Sequence, residues 1–225
     1  MTILTQQTLQ NTVFLLVLTV WITGCSYQNE NVVPELVLDV PDEIKPEIRN
    51  IILRVVAEDM FPIEVDLTRQ NEEFIIPTGK KRSITAIVLD AKQAIRATGW
   101  TVNNISPREN QVTLNLHIPP SAPVLSQGAD RSRGLQLNWT GYVPQAGRKF
   151  SQYRVYRDNF EKVTEASVLV VTIDDQGDTT MVDKDVVRGQ DYYYRVYVFE
   201  ESGAFNISNS VHVLWQDTEK QPAAI

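Results

Sequence analysis

The chain has 225 residues, with 21 Lys and Arg against 28 Asp and Glu, so it carries a formal net charge of −7. An apolar fraction of 43% beside 22% charged residues belongs to a folded protein rather than a disordered one. The negative balance excludes nucleic-acid binding and charge-driven attraction to an anionic membrane surface. One Cys and two His exclude an intramolecular disulfide framework, CxxC metal sites and imidazole-rich metal centres.

The first distinct element is N-terminal. Residues 13–22 form an apolar run interrupted by Thr19, followed by Thr23, Gly24 and the only cysteine, Cys25. The run is too short to span a hydrocarbon core, which needs about 20 apolar residues. It fits the apolar region of a secretory signal, with small residues before the cleavage point. Ile22-Thr23-Gly24-Cys25 resembles the lipobox of bacterial lipoproteins, although residues 1–11 lack the Lys or Arg usual in such signals. The resemblance implies a lipoprotein signal peptide over 1–24, diacylglyceryl transfer to the Cys25 thiol, cleavage before Cys25, and acylation of the new amino group. Two attachment points for acyl chains meet the requirement for stable anchoring. Serine rather than aspartate at position 26 implies, by the same resemblance, sorting to the outer membrane. The chain is then a membrane-anchored protein of the bacterial cell envelope, facing the periplasm or the surface.

Residues 25–34 read as a short polar tether, and 35–119 as a first domain of strands separated by turns. The run 48–56 is β-branched and apolar, 63–67 alternates apolar with acidic residues, and 83–89 and 111–118 are further strands. Between them, Pro77-Thr78-Gly79-Lys80 is a turn, and Lys80-Lys81-Arg82 is expected at a solvated hairpin tip. A helical opening at 42–48 is disfavoured by Pro46 and the β-branched run beyond it. Alternation places Val112, Leu114, Leu116 and Ile118 on one face and His117 on the other, toward solvent or an edge. The stretch 76–91 resembles bacterial immunoglobulin-like modules, which implies an antiparallel sandwich of about seven strands.

A second domain is expected over 120–216, after the Pro119-Pro120-Ser121-Ala122-Pro123 linker, with a disordered tail at 217–225. Leu135, Leu137 and Trp139 alternate into its core, and 153–157, 167–173, 179–183, 193–199 and 208–215 are strand-like. Trp139, the Tyr153-Arg154-Val155-Tyr156-Arg157 strand and the pattern of Val186 followed by Gly189 to Val196 resemble a fibronectin type III domain. That resemblance places a tyrosine corner at Tyr192, whose hydroxyl would bond to upstream backbone; Arg188 stands where the family usually has proline. Tyr192, Tyr194, Val196 and Val198 face inward; Tyr193, Arg195, Tyr197 and Phe199 face outward. Cross-strand pairing explains such an outward row. So does a contact surface for the first domain, a partner protein or a glycan.

No nucleophile elbow, zinc-protease helix or phosphate loop occurs. His117 and His212 lie in strand-like alternation, away from any turn that would present a nucleophile. The acidic turn Asp174 to Asp178 lacks EF-hand spacing, and a hairpin turn is expected there. The expected architecture is therefore all-β: two tandem antiparallel β-sandwiches after a signal peptide, non-catalytic, without cofactor or metal. The expected role is binding or scaffolding at the envelope. The alternatives are a glycan-binding module using Trp100, Tyr142 or the outward row, and an accessory of an envelope hydrolase system.

Overall fold

The computed structural model describes residues 30–69, 74–128, 134–187 and 189–215. The signal peptide, Cys25 and the tail at 217–225 lie outside the described residues. Two β-sandwiches follow one another along the chain.

The first contains β1 (Asn31–Val32), β2 (Glu35–Asp39), β3 (Asn50–Val56), β4 (Ile63–Asp66), β5 (Ile76–Pro77), β6 (Gly79–Leu89), β7 (Ile95–Ile105) and β8 (Gln111–Asn115). One layer is the antiparallel sheet β4-β3-β6-β7. The other is β2 beside β8, and this pair is parallel, with Leu36 opposite Val112 and Leu38 opposite Leu114. The expectation of a wholly antiparallel sandwich is corrected at this edge. Parallel strands need a long crossover, and the whole of β3 to β7 supplies it. Between the layers lie Leu53, Val55, Ile84, Ala86, Val88, Ala97, Val112, Leu114 and Leu116, all buried. Ile118, assigned to the same face, lies beyond the end of β8 and is 51% exposed.

Three other local expectations change. Asn31 and Val32, read as tether, pair with Pro77 and Ile76. Lys45–Glu47 forms a 3-10 turn with Pro46 in its first turn, where a missing N–H costs nothing. Lys80-Lys81-Arg82 is not a hairpin tip but part of β6, opposite β7. Arg82 is fully buried. Its guanidinium donates to the Pro77 carbonyl at 3.0 Å, to the Thr78 carbonyl and to both carboxylate oxygens of Asp59. A register irregularity between Gly79 and Arg82 accompanies this inward turn. Gly79 faces the guanidinium so closely that a Cβ would overlap it, at 1.9 Å from Nη2.

The second sandwich contains β9 (Leu125–Gln127), β10 (Leu135–Trp139), β11 (Phe150–Asp158), β12 (Val168–Ile173), β13 (Thr180–Asp183), β14 (Asp191–Glu200), β15 (Phe205–Ile207) and β16 (Val211–Leu214). The sheet β13-β10-β9 packs on β12-β11-β14, and β14 pairs with β15 at one end and β16 at the other. Leu135, Leu137, Trp139, Tyr153, Val155, Tyr192, Tyr194, Val196 and Val198 fill the core. The Tyr192 hydroxyl accepts from the Val187 N–H at 2.8 Å, which is the tyrosine-corner contact. Tyr194 donates to Asp183 at 2.9 Å, and Arg157 donates to the same carboxylate oxygen at 2.7 Å. The strand arrangement and the corner make this a fibronectin type III-like sandwich.

The buried Arg82 yields a test. Removing Asp59 leaves a guanidinium without its counter-charge inside the sandwich. Asp59→Ala is expected to lower unfolding free energy by about 1.5–3 kcal/mol, the range for a hydrogen bond to a charged group, because Arg82 is buried while Asp59 is half exposed. Denaturant titration measures it, and an unchanged midpoint contradicts the assignment.

Candidate functional site

The outward face of β14 is not open. Tyr197 and Phe199 are fully buried, and Tyr193 packs against the same cluster. What covers them is the outer face of the first sandwich: Ile87 and Leu89 of β6 and Ile95 and Trp100 of β7, with Phe205 and Ile207 of β15 completing the cluster. The sheets therefore stack in four layers with three apolar cores, and the middle core joins the two sandwiches. Ring geometry is specific: Trp100 meets Phe199 edge-on at 5.4 Å, Tyr156 meets Tyr197 at 5.0 Å, and Phe199 stacks on Phe205 at 5.3 Å. The Arg154 guanidinium lies 4.4 Å from both the Trp100 and Phe199 rings, a cation–π contact that caps the row.

Polar groups fix the register of this seam. The Thr98 hydroxyl donates to the Phe205 carbonyl at 2.6 Å and accepts from the Phe205 N–H at 2.9 Å. Thr98 is fully buried, so its hydroxyl satisfies two backbone groups that have no water to turn to. The backbone of Thr98 also exchanges two 2.9 Å hydrogen bonds with His117, which places His117 on the strand edge. Gly203 has φ +87°, and a Cβ there would lie 2.7 Å from the Trp100 carbonyl oxygen. Only glycine lets that turn approach β7 so closely.

Charges line one side. Arg54 donates to Glu64 at 2.8 Å and to Glu165 of the second sandwich at 3.0 Å, and Lys162 returns to Glu64 at 3.0 Å. Burial works against the Arg54 charge, but Glu165 and Glu64 outweigh it and raise its pKa. Burial likewise disfavours the Glu64 carboxylate, and the Arg54 and Lys162 hydrogen bonds reverse this, holding it below the usual range. Burial, then Glu165, pushes the Tyr197 phenol well above its ordinary value.

The other candidates from sequence are scattered. Tyr142 is buried, donating to Glu200 at 2.8 Å, and burial followed by that carboxylate pushes its pKa up to about 12. Glu200 also holds Arg148, whose Nη2 reaches the Ile118 carbonyl at 2.7 Å. Trp100 is half-buried in the seam, its indole N–H donating to Ser83. Neither ring is a free stacking platform, and neither are Tyr197 and Phe199. Tyr193 stacks on His212 at 4.6 Å. A cleft of about 620 Å³ opens beside Tyr142, Arg148, Asp174 and Asp175. In the acidic turn, Asp175 caps the Gly177 N–H at 2.8 Å. Among the described residues no group of three or more His, Cys, Asp or Glu is placed to hold a metal ion.

Sequence reasoning missed Thr98, Arg54, Glu165 and Gly203. Thr98, Arg54 and Glu165 lie in unremarkable strand or loop sequence and matter only through the other sandwich. The Glu201-Ser202-Gly203 turn carried a local signal, which did not say what the glycine approaches.

No family model and no curated protein sequence matches the chain. Among solved structures, a candidate carbohydrate binding protein from Bacteroides uniformis matches at 10% identity, covering 80% of this chain and 99% of that one, with a TM-score of 0.37. The fibronectin(III)-like modules of Clostridium thermocellum CbhA match at 13% identity over 86% and 95%, with a TM-score of 0.33. Pectate lyase PelI from Erwinia chrysanthemi matches at 24% identity over 41% of this chain, with a TM-score of 0.35; the chain spans 28% of the lyase. At these scores the likenesses carry no activity or partner to this chain.

Thr98→Val keeps the volume and removes the hydroxyl, orphaning both backbone groups of Phe205. It is expected to destabilise the protein by about 2 kcal/mol, read by chemical denaturation. Wild-type stability in this variant contradicts the role given to Thr98.

Proposed function

We propose that the chain is a non-catalytic, lipid-anchored protein of the bacterial cell envelope whose two sandwiches act as one rigid scaffolding block. The observation that carries the scaffold reading is the closed seam: the most apolar outward row of the second sandwich is used to join the first, not to meet a ligand. The linker supports this. The Asn206 side chain donates to the Pro120 carbonyl at 2.6 Å, and Arg148 holds the Ile118 carbonyl, so the start of the connection is tied to the second sandwich at two points.

The anchor rests on Ile22-Thr23-Gly24-Cys25. From Cys25 to the start of β1 at Asn31 the chain reaches at most about 20 Å, at ~3.3–3.6 Å per residue. The block then sits close to the bilayer, in the outer membrane by virtue of Ser26, and presents its faces to a protein or glycan partner at a fixed height. A binding role for these faces is the companion reading, with the partner reached from the surfaces that the seam leaves free.

Cys25→Ser is expected to move the protein from the membrane fraction to the soluble fraction and to abolish the acyl mass increment at residue 25. Membrane fractionation with intact-mass spectrometry reads both. A variant still membrane-bound and acylated overturns the anchor.

A further inference from the structure

Strand β12 lies at the edge of its sheet. It pairs with β11 on one side, and among the described residues no strand or backbone hydrogen bond meets its other side. A bare strand edge is a template for another strand, and folded proteins guard such edges with charge, proline, short length, a bulge or a cover. Several other edges here are guarded in this way. β4 holds Glu64 and Asp66, β2 begins on Glu35 and ends on Asp39, and β13 ends on Asp183. β9, β15 and β16 are only three or four residues long. β12 reads Val-Leu-Val-Val-Thr-Ile, with no charge and no proline, and Val168 and Leu169 are 57% and 49% exposed.

Its one guard is a bulge. Val155 pairs with Val171 and Tyr156 with Leu169, so Val170 has no opposite residue. The bulge sets the order of the faces. Val170, Val171 and Ile173 pack on the core of the second sandwich. Leu169 and Thr172 stand opposite Tyr156 and Arg154, which face the seam. Val168 stands opposite Arg157, which reaches Asp183 of the facing sheet. From Val168 to Ile173 the positions therefore run core, seam, core, core, seam, core, an order that is its own reverse. Two copies laid antiparallel along this edge match face for face: Val168 meets Ile173, Leu169 meets Thr172 and Val170 meets Val171 of the second copy. Charge selects the same direction. An antiparallel pair sets Asp174 and Asp175 beside Ser167 and Ala166 of the second copy, whereas a parallel pair sets like charges together. We infer that β12 is a self-association edge through which two copies of this chain join their β12-β11-β14 sheets across a twofold axis. The isologous contact closes the assembly at a dimer. It uses an edge that the seam leaves free and is independent of the lipid anchor.

The full chain carrying Cys25→Ser, which has neither an acyl group nor a competing thiol, is the background for the test. Sedimentation equilibrium is expected to show monomer and dimer with a Kd between about 1 µM and 1 mM, the weak end of protein interfaces. Leu169→Lys with Thr172→Lys, both at exposed positions, should weaken the dimer by about tenfold or more, because like charges then stand opposite each other. Register is read separately. Leu169→Cys and Thr172→Cys proteins, mixed and oxidised, should form a disulfide between residues 169 and 172 of different copies, since opposite Cβ atoms lie ~4.5–5.5 Å apart. Peptide mass spectrometry identifies the link. Leu169→Cys oxidised alone should form far less, since its own counterpart lies three residues away, ~10 Å along the strand. Circular dichroism confirms that each variant is folded; if the double Lys variant is not, the disulfide comparison decides. A chain that is monomeric up to about 1 mM, a folded double Lys variant that associates as tightly as its background, or equal cross-linking in the mixed and single proteins overturns the inference.

Discussion

The structure depends on one contact: the outward face of β14 laid against the outer face of β6 and β7. Fully burying a large apolar side chain stabilises by about 1.5–3 kcal/mol, and Tyr197, Phe199 and Phe205 are each fully buried there. The ion pairs along the same seam are smaller in effect. Lys162 is 72% and Glu64 41% exposed at the side chain, and exposed pairs contribute about 0–1 kcal/mol. The aromatics therefore hold the two sandwiches together, while the charges and the Thr98 hydroxyl set the register. Arg54 and Glu165 belong to both descriptions. They are largely buried, so removing either would strand the other.

The same contact explains features that look anomalous in either sandwich alone. Strand β6 is buried on both faces from Ile84 to Val88. Ile84, Ala86 and Val88 serve the first core, and Ile87 serves the middle one. A sheet with only one covered face would alternate between apolar and polar residues; this one does not, because the second sandwich covers its other side. Gly203, Thr98 and the half-buried Trp100 each have a plain local role only once the neighbouring sandwich is in place.

Much of the architecture was legible in the residues. Alternation placed Leu135, Leu137 and Trp139 and the inward row of β14 correctly, and the Val186-to-Tyr192 pattern located the tyrosine corner. The same alternation singled out Tyr193, Arg195, Tyr197 and Phe199 as facing away from the core, but periodicity states only which face a side chain is on and not what lies opposite. The opposing surface was hidden because β7, IRATGWTVNNI, mixes small, polar and β-branched residues and shows no clear period. Lys80-Lys81-Arg82 misled for a related reason. Three basic residues beside a Pro-Gly pair resemble an exposed turn, and nothing local discloses that Asp59, distant in the chain, neutralises Arg82 inside the fold. The parallel pairing of β2 with β8 was equally beyond local pattern, since strand direction is decided by the path of the chain between them.

The proposed role rests on the two sandwiches moving as one block, and that rigidity stands or falls with the seam. Amide hydrogen exchange of the Phe199→Ala protein, followed by mass spectrometry over residues 95–105, tests this directly, because β7 belongs to the other sandwich and meets Phe199 only across the seam, through Trp100. Coupling through the seam predicts that protection of β7 falls clearly relative to wild type, as local opening becomes easier. Wild-type protection across β7 in this variant would show that the two sandwiches stand independently.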